Sequence, residues 1–118
     1  MTELTRSDNL VRVIVKEPDE RWGHTQDIPN TLEEIQWLVK GRFETADIGR
    51  DDAIMLVNEE WRIRGMQENI HCQMRRWGCY FDEVIGGNVV MIGTAGEEFC
   101  DCPIEWDEWK MMLKEWGN

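Results

Sequence analysis

The sequence predicts an α+β fold: one domain in which a mainly antiparallel sheet of about five or six strands is packed by two helices, at about 30–41 and 103–116. Three observations lead there. A β-branched, period-two run near the start is followed by turn residues and a second extended segment, the pattern of a hairpin. Two later windows carry apolar residues at helical spacing with capping residues beside them. The length of 118 residues suffices to bury one core without staples and is too short for two.

Taken in order, residues 1–10 are polar and read as a flexible lead-in to a domain over 11–118. Val11 to Lys16 alternates β-branched and polar residues, the period of a half-buried strand. Glu17-Pro18-Asp19-Glu20 carries turn chemistry, so Arg21 to Ile28 returns antiparallel and Pro29 closes the hairpin. Asn30 or Thr31 caps the first helix, Glu33 or Glu34 completes a capping box, Leu32, Ile35, Leu38 and Val39 form one face, and Gly41 supplies a left-handed stop. Arg42 to Ile48 and Ala53 to Val57 read as strands around the turn Gly49 to Asp52. Asn58-Glu59-Glu60 offers a further turn, after which Trp61 to Arg64 is expected to pair back. Met66 to Asp82 shows no clean period and reads as a long loop with a helical turn near Gln73 to Trp77. Val89 to Ile92 is a short apolar run suited to a central strand, and the glycine clusters on either side of it, Gly86-Gly87 and Gly93 to Gly96, read as turns. In the last helix Pro103 takes the first position, early acids complement the dipole, and Trp106, Trp109, Leu113 and Trp116 form a stripe expected to face the sheet.

Charge narrows the function classes. Lys and Arg number 13 against 24 Asp and Glu, a net −11 that repels nucleic acid and anionic membranes. Arg62, Arg64, Arg75 and Arg76 form a basic island, while residues 82–118 hold nine acids against Lys110 and Lys114. The plain reading of the acidic end is a solvated surface; the specific one is a face that mimics DNA or docks on a basic partner. Seven Trp exceed what one small core holds, so some are expected at the surface, where Trp anchors interfaces. No stretch approaches the roughly 18 apolar residues of a membrane span, and the polar start lacks a signal peptide, so a cytoplasmic chain with reduced thiols is expected.

Catalytic chemistry finds little support. Ser7 is the only serine and lies in the lead-in, His24 has no visible partner, and the glycine clusters lack the Lys of a phosphate loop. Carboxylates are too abundant for any pair to be informative, and no enzyme is expected. The strongest ligand set is Cys72, Cys79, Cys100 and Cys102, with His71 beside them, since four thiolates satisfy zinc. Their spacing, six residues between the first two and one between the last two, differs from a zinc knuckle, and buried reduced cysteines are the competing reading.

The segments Arg12 to Pro18, Ile28 to Gln36 with Val39, Gly41 and Glu44, and Leu56 to Glu60 with Gly65 and Asn69 resemble an uncharacterised family of small proteins from phages, plasmids and bacterial genomes, classed as a domain of unknown function. The resemblance runs from about residue 11 to 69, is weaker at Val84 to Gly87 and the final helix, and breaks at residues 70–82 and in the Trp-rich tail. It implies a mobile-element setting and no activity. By analogy with small acidic phage proteins, the expectation is a protein-binding protein, an inhibitor of a host defence nuclease or other nucleic-acid-binding protein, that meets a basic partner surface through Glu97, Glu98, Asp101, Glu105, Asp107, Glu108, Trp77, Trp106 and Trp109. No cofactor is expected; the alternative is a structural or regulatory domain binding zinc through the four cysteines. A homodimer through the Trp-bearing helix is a further expectation, since an apolar stripe that overfills one core buries its surplus against a copy of itself.

Overall fold

The computed structural model describes residues 10–118. The lead-in therefore lies outside the described residues except for Leu10, which opens the first strand. Eight strands and two helices follow: β1 Leu10–Lys16, β2 His24–Pro29, α1 Leu32–Val39, β3 Phe43–Ala46, β4 Ala53–Asn58, β5 Glu68–Arg76, β6 Cys79–Gly86, β7 Val89–Ala95, β8 Glu98–Cys100 and α2 Trp106–Glu115. All pairings are antiparallel. The main sheet runs β2-β1-β7-β4-β3 with β8 added on β7, and β5–β6 forms a separate two-stranded sheet. The expected α+β architecture of two helices on a mainly antiparallel sheet is what the chain adopts.

Side-chain alternation divides the core into two layers. In β1, Val11, Val13 and Val15 point to one face of the main sheet and Ile14 to the other. β7 does the same with Val90 and Ile92 against Val89 and Met91. Both strands are buried on both faces, so β7 reads as a continuous apolar run rather than an alternating one. Ile35, Leu38 and Val39 of α1 complete the first layer. Ile70, Cys72 and Met74 of β5, Ile85 of β6, and Trp109 and Leu113 of α2 complete the second.

Thr31 caps the start of α1 as expected, its Oγ1 accepting from Glu34 N at 3.2 Å, but Thr31 N donates to Pro29 O, so the reciprocal glutamate bond of a capping box does not form. The end of α1 differs too. Lys40, with φ +64, is the left-handed residue, and Gly41 N donates to Gln36 O while Lys40 N donates to Trp37 O, the paired bonds of a Schellman motif. Gly41 follows at φ +153, where a Cβ would crowd the Asn58 amide. The helix is accordingly shorter than 30–41.

Four other expectations are corrected. Trp61 to Arg64 does not pair back: Asn58 Oδ1 accepts from Glu60 N at 2.7 Å and Arg64 N donates to Glu60 O, closing a helical turn that the Asn side chain nucleates. The turn lays Trp61 against Gly86, where a Cβ would collide with the indole. Met66 to Asp82 is not a loop but most of the β5–β6 hairpin. Arg76 pairs with Cys79, leaving Trp77 and Gly78 at φ +52 and +77 as a two-residue turn, positive at both positions as type I′ requires. An isolated hairpin is marginal in water, and this one is held by burying Ile70, Cys72, Met74 and Ile85 on the main sheet. Finally, α2 begins at Trp106 with Glu105 as its cap residue, so Pro103 precedes the helix; Gly93 to Ala95 continue β7, and only Gly96 turns.

Candidate functional site

One end of the molecule gathers most of the residues singled out from sequence. Its foundation is the loop after β3. Arg75 N donates to Asp47 O at 2.7 Å, and the Arg75 guanidinium bridges Asp47 and Asp51, both at 3.1 Å, so the hairpin leans on this loop. Tyr80 packs against Gly49. Arg50 joins the loop to α2 through Asp52 at 2.8 Å and Glu108 at 2.7 Å. The Asp52 hydrogen bond, ahead of that to Glu108, raises the pKa of Arg50 and lowers that of Asp52, so both stay charged throughout the neutral range. Thr94, at the end of β7, donates from its backbone N to Asp52 O and from its hydroxyl to Asp51 O, which brings the β7–β8 turn alongside.

On this base stand the exposed groups. Trp77 is 89% accessible at the hairpin tip, with Tyr80 at 55% and Phe81 at 42% behind it. Glu97 and Glu98 are exposed at the β7–β8 turn, and Glu105, Asp107 and Glu108 at the start of α2. Asp101 is exposed but engaged, accepting from Arg12 N at 2.7 Å, where Cys102 N also donates to Arg12 O. That contact fastens the segment before α2 to β1.

Two predicted residues do not belong. Trp109 is fully buried, its Nε1–H donating to Trp22 O at 2.7 Å, and Trp116 meets it edge-on with centroids 6.2 Å apart. Trp106 is half-buried and packs on the same core cluster. The tryptophan stripe of α2 is thus core, as its spacing toward the sheet implied, because a helix on a sheet buries the stripe that holds its largest side chains. Tyr80, Phe81, Asp47, Asp51 and Asp52 were missed. The signal for the aromatic pair was the alternation of Ile70, Cys72 and Met74 with His71, Gln73 and Arg75, which marks a strand and so sends its partner strand to a tip.

The cysteines do not come together. Cys72 lies opposite Glu83 in mid-hairpin and Cys79 opposite Arg76 at the tip, four residues along the ladder or about 14 Å at strand spacing. Cys100 is half-buried at the end of β8 and Cys102 is buried. Among the described residues no three His, Cys, Asp or Glu side chains form a group able to hold a metal. Burial, with Glu83 adding to it, pushes the Cys72 thiol up to about 11, and burial also raises that of Cys102; both behave as small apolar core residues.

The basic island is dispersed as well. Arg75 and Arg76 are ion-paired with Asp47, Asp51 and Glu83, Arg62 stacks on Trp61 at 5.0 Å, and Arg64 donates to Lys40 O at 2.7 Å. His24 accepts or donates to Glu20 at 2.9 Å and Gln26 at 3.1 Å. Partial burial opposes its charge, yet those two bonds and the charges of Glu20 and Glu17 outweigh it, and its pKa is raised.

Two residues that carry the family resemblance, Asn58 and Asn69, are fasteners. Asn58 Nδ2 donates to Val39 O and Lys40 O, and Asn69 Nδ2 donates to Lys16 O and Gly87 O while its Oδ1 accepts from the buried Lys16 ammonium at 2.6 Å. They tie α1, β1 and the β6–β7 turn together. No helix among the described residues is long and apolar enough to cross a membrane. No curated protein and no solved structure matches the chain. Residues 11–114 match the family described as Domain of unknown function (DUF3846), and the chain belongs to it.

Proposed function

We propose that this chain is a protein-binding module that meets a basic partner surface with the end of the molecule where the hairpin tip stands beside the acidic loops. The observation that supports it best is Trp77. A bulky residue with positive φ at the first central position of a type I′ turn, where Asn, Asp or Gly is favoured, costs about 1–2 kcal/mol of backbone strain, and its ring is left in water. Neither packing nor turn geometry accounts for that choice. An exposed Trp flanked by Tyr80 and Phe81 has the composition of a binding hot spot, and Glu97, Glu98 and Asp51 supply charge for a cationic counterpart. Asp51 has a 96% exposed side chain even while it pairs with Arg75.

A nucleic-acid-binding protein, a host defence nuclease among them, is the partner class that fits both the acidic end and a mobile-element setting. No catalytic residue is assigned. The test is affinity capture by the tagged chain at low and moderate salt with DNA as competitor, comparing the native sequence with Trp77→Asn and with Glu97→Lys/Glu98→Lys. A basic partner should be displaced by DNA and by salt, lost with Trp77→Asn and weakened about tenfold by the charge reversals. Retention by both variants would remove the tip from the interface.

A further inference from the structure

A second recognition feature lies on the opposite layer, away from the hairpin. A groove of about 810 Å³ runs between α1 and the β1–β2 hairpin, within the range of sites that enclose a ligand or a short peptide segment. Val15 and Leu38, 2% and 7% accessible, close its base as core residues, and Trp37, 73% exposed, stands at its rim. The polar lining includes Glu17 and Glu33. Both are exposed, and neither carboxylate has an ion-pair partner among the described residues. Every other large aromatic ring in contact with a cation here has that cation supplied by the chain itself: Trp22 has Arg21, Lys110 and Lys114, and Trp61 has Arg62. Trp37 has none.

We infer that this groove binds an arginine-bearing segment of a protein partner. The guanidinium would lie on the open face of Trp37, as a planar, weakly hydrated cation does on an indole, and pair with Glu17 or Glu33 while the flanking apolar side chains pack along the exposed Trp37 ring. Lys40 and His24 also line the groove. His24 is matched by Glu20, with the charge of Glu17 adding to its surroundings, so once that pair is set aside two carboxylates, Glu17 and Glu33, stand against Lys40 among the described lining residues. The charge balance therefore favours a cationic occupant. The inference deepens the reading of a basic partner and rests on it, but it places the contact on other residues.

The probe is a six-residue peptide, acetyl-Gly-Leu-Arg-Arg-Leu-Gly-amide, titrated into the full chain while the tryptophan indole N–H resonances are followed by two-dimensional NMR. The Trp37 resonance should shift saturably, and the Trp77 resonance should stay in place. Replacing both arginines by citrulline, which keeps shape and removes charge, should weaken binding at least tenfold, as should Glu17→Gln/Glu33→Gln. Equal shifts at Trp37 and Trp77, a non-saturating response, or citrulline affinity equal to arginine would overturn the groove. Capture of the natural partner separates the two ideas: loss with Trp77→Asn but not with Glu17→Gln/Glu33→Gln leaves the hairpin end standing and sinks the groove alone.

Discussion

The two faces of the main sheet are closed to different extents. One is covered by the β5–β6 hairpin and α2, whose side chains join those of the sheet in a cluster of sixteen buried residues centred on Met55, Met91 and Trp109. The other is covered by α1, with ten buried residues in its cluster. Geometry explains the difference. Eight helical residues span about 12 Å, whereas the five-strand path is about 19 Å across at strand spacing. A single short helix leaves a groove of about 810 Å³ beside Val15 and His24, and the hairpin side keeps a smaller one of about 650 Å³ between β3 and the hairpin. Large aromatics differ likewise: Trp109 lies within the larger cluster, and Trp37 stands exposed beside the groove of the smaller one.

The comparison breaks most directly at those two tryptophans. Trp109→Ala should cost about 3–5 kcal/mol, as truncation of a fully buried aromatic does, with the Trp22 carbonyl also losing its donor; Trp37→Ala should fall within about 0.5 kcal/mol of the native chain. Urea unfolding measures both, and equal losses would mean the groove is closed in solution. Next in size is Asn58→Ala. Asn58 is buried and its side chain satisfies two α1 carbonyls and one turn amide, so roughly 2–3 kcal/mol should be lost by the same measurement. A loss below about 0.5 kcal/mol would show that α1 is fastened by its apolar face alone.

Trp77→Asn should do the reverse, raising stability by about 1 kcal/mol as the positive-φ turn receives a residue suited to it, while abolishing partner capture. A destabilised variant would mean that Trp77 packs in the fold. The smallest effect belongs to the groove lining. The raised pKa of His24 means that its contribution to stability is fully present below its unfolded value near 6.5 and fades as pH rises through the higher folded value. The pair with Glu20 is partly exposed, so His24→Gln should lose less than about 1 kcal/mol at pH 5.5 and almost nothing at pH 8.5, read from thermal unfolding at both pH values. A loss independent of pH would assign His24 a packing role only.

Local signals decided the elements that were read correctly. Thr31 with Glu34, the period-two run of β1 and the apolar run of β7 each act over a few residues, and each formed as its chemistry dictates. The hairpin is less legible: Ile70, Cys72 and Met74 alternate, but Cys79 to Glu83 on the partner strand are mostly exposed and show no clean period, and Trp-Gly is not a favoured type I′ pair. The candidate site was legible in part for the same reason. Exposed acids could be named from the charge run, whereas the choice between Trp77 and Trp109 as the surface tryptophan depends on which residues are brought against them by contacts distant in sequence.

Composition alone determined that this chain is acidic, rich in tryptophan, of single-core size and built from short elements, since these follow from counts and from periods of two and three to four residues. Tertiary structure decided the rest: that Trp77 and not Trp109 lies at the surface, that no three metal-ligating side chains gather among the described residues, that Asp51 and Glu97 share an end with Trp77, and that α1 leaves a groove beside it. Burial and proximity are properties of segments far apart in the chain, and only their packing fixes them.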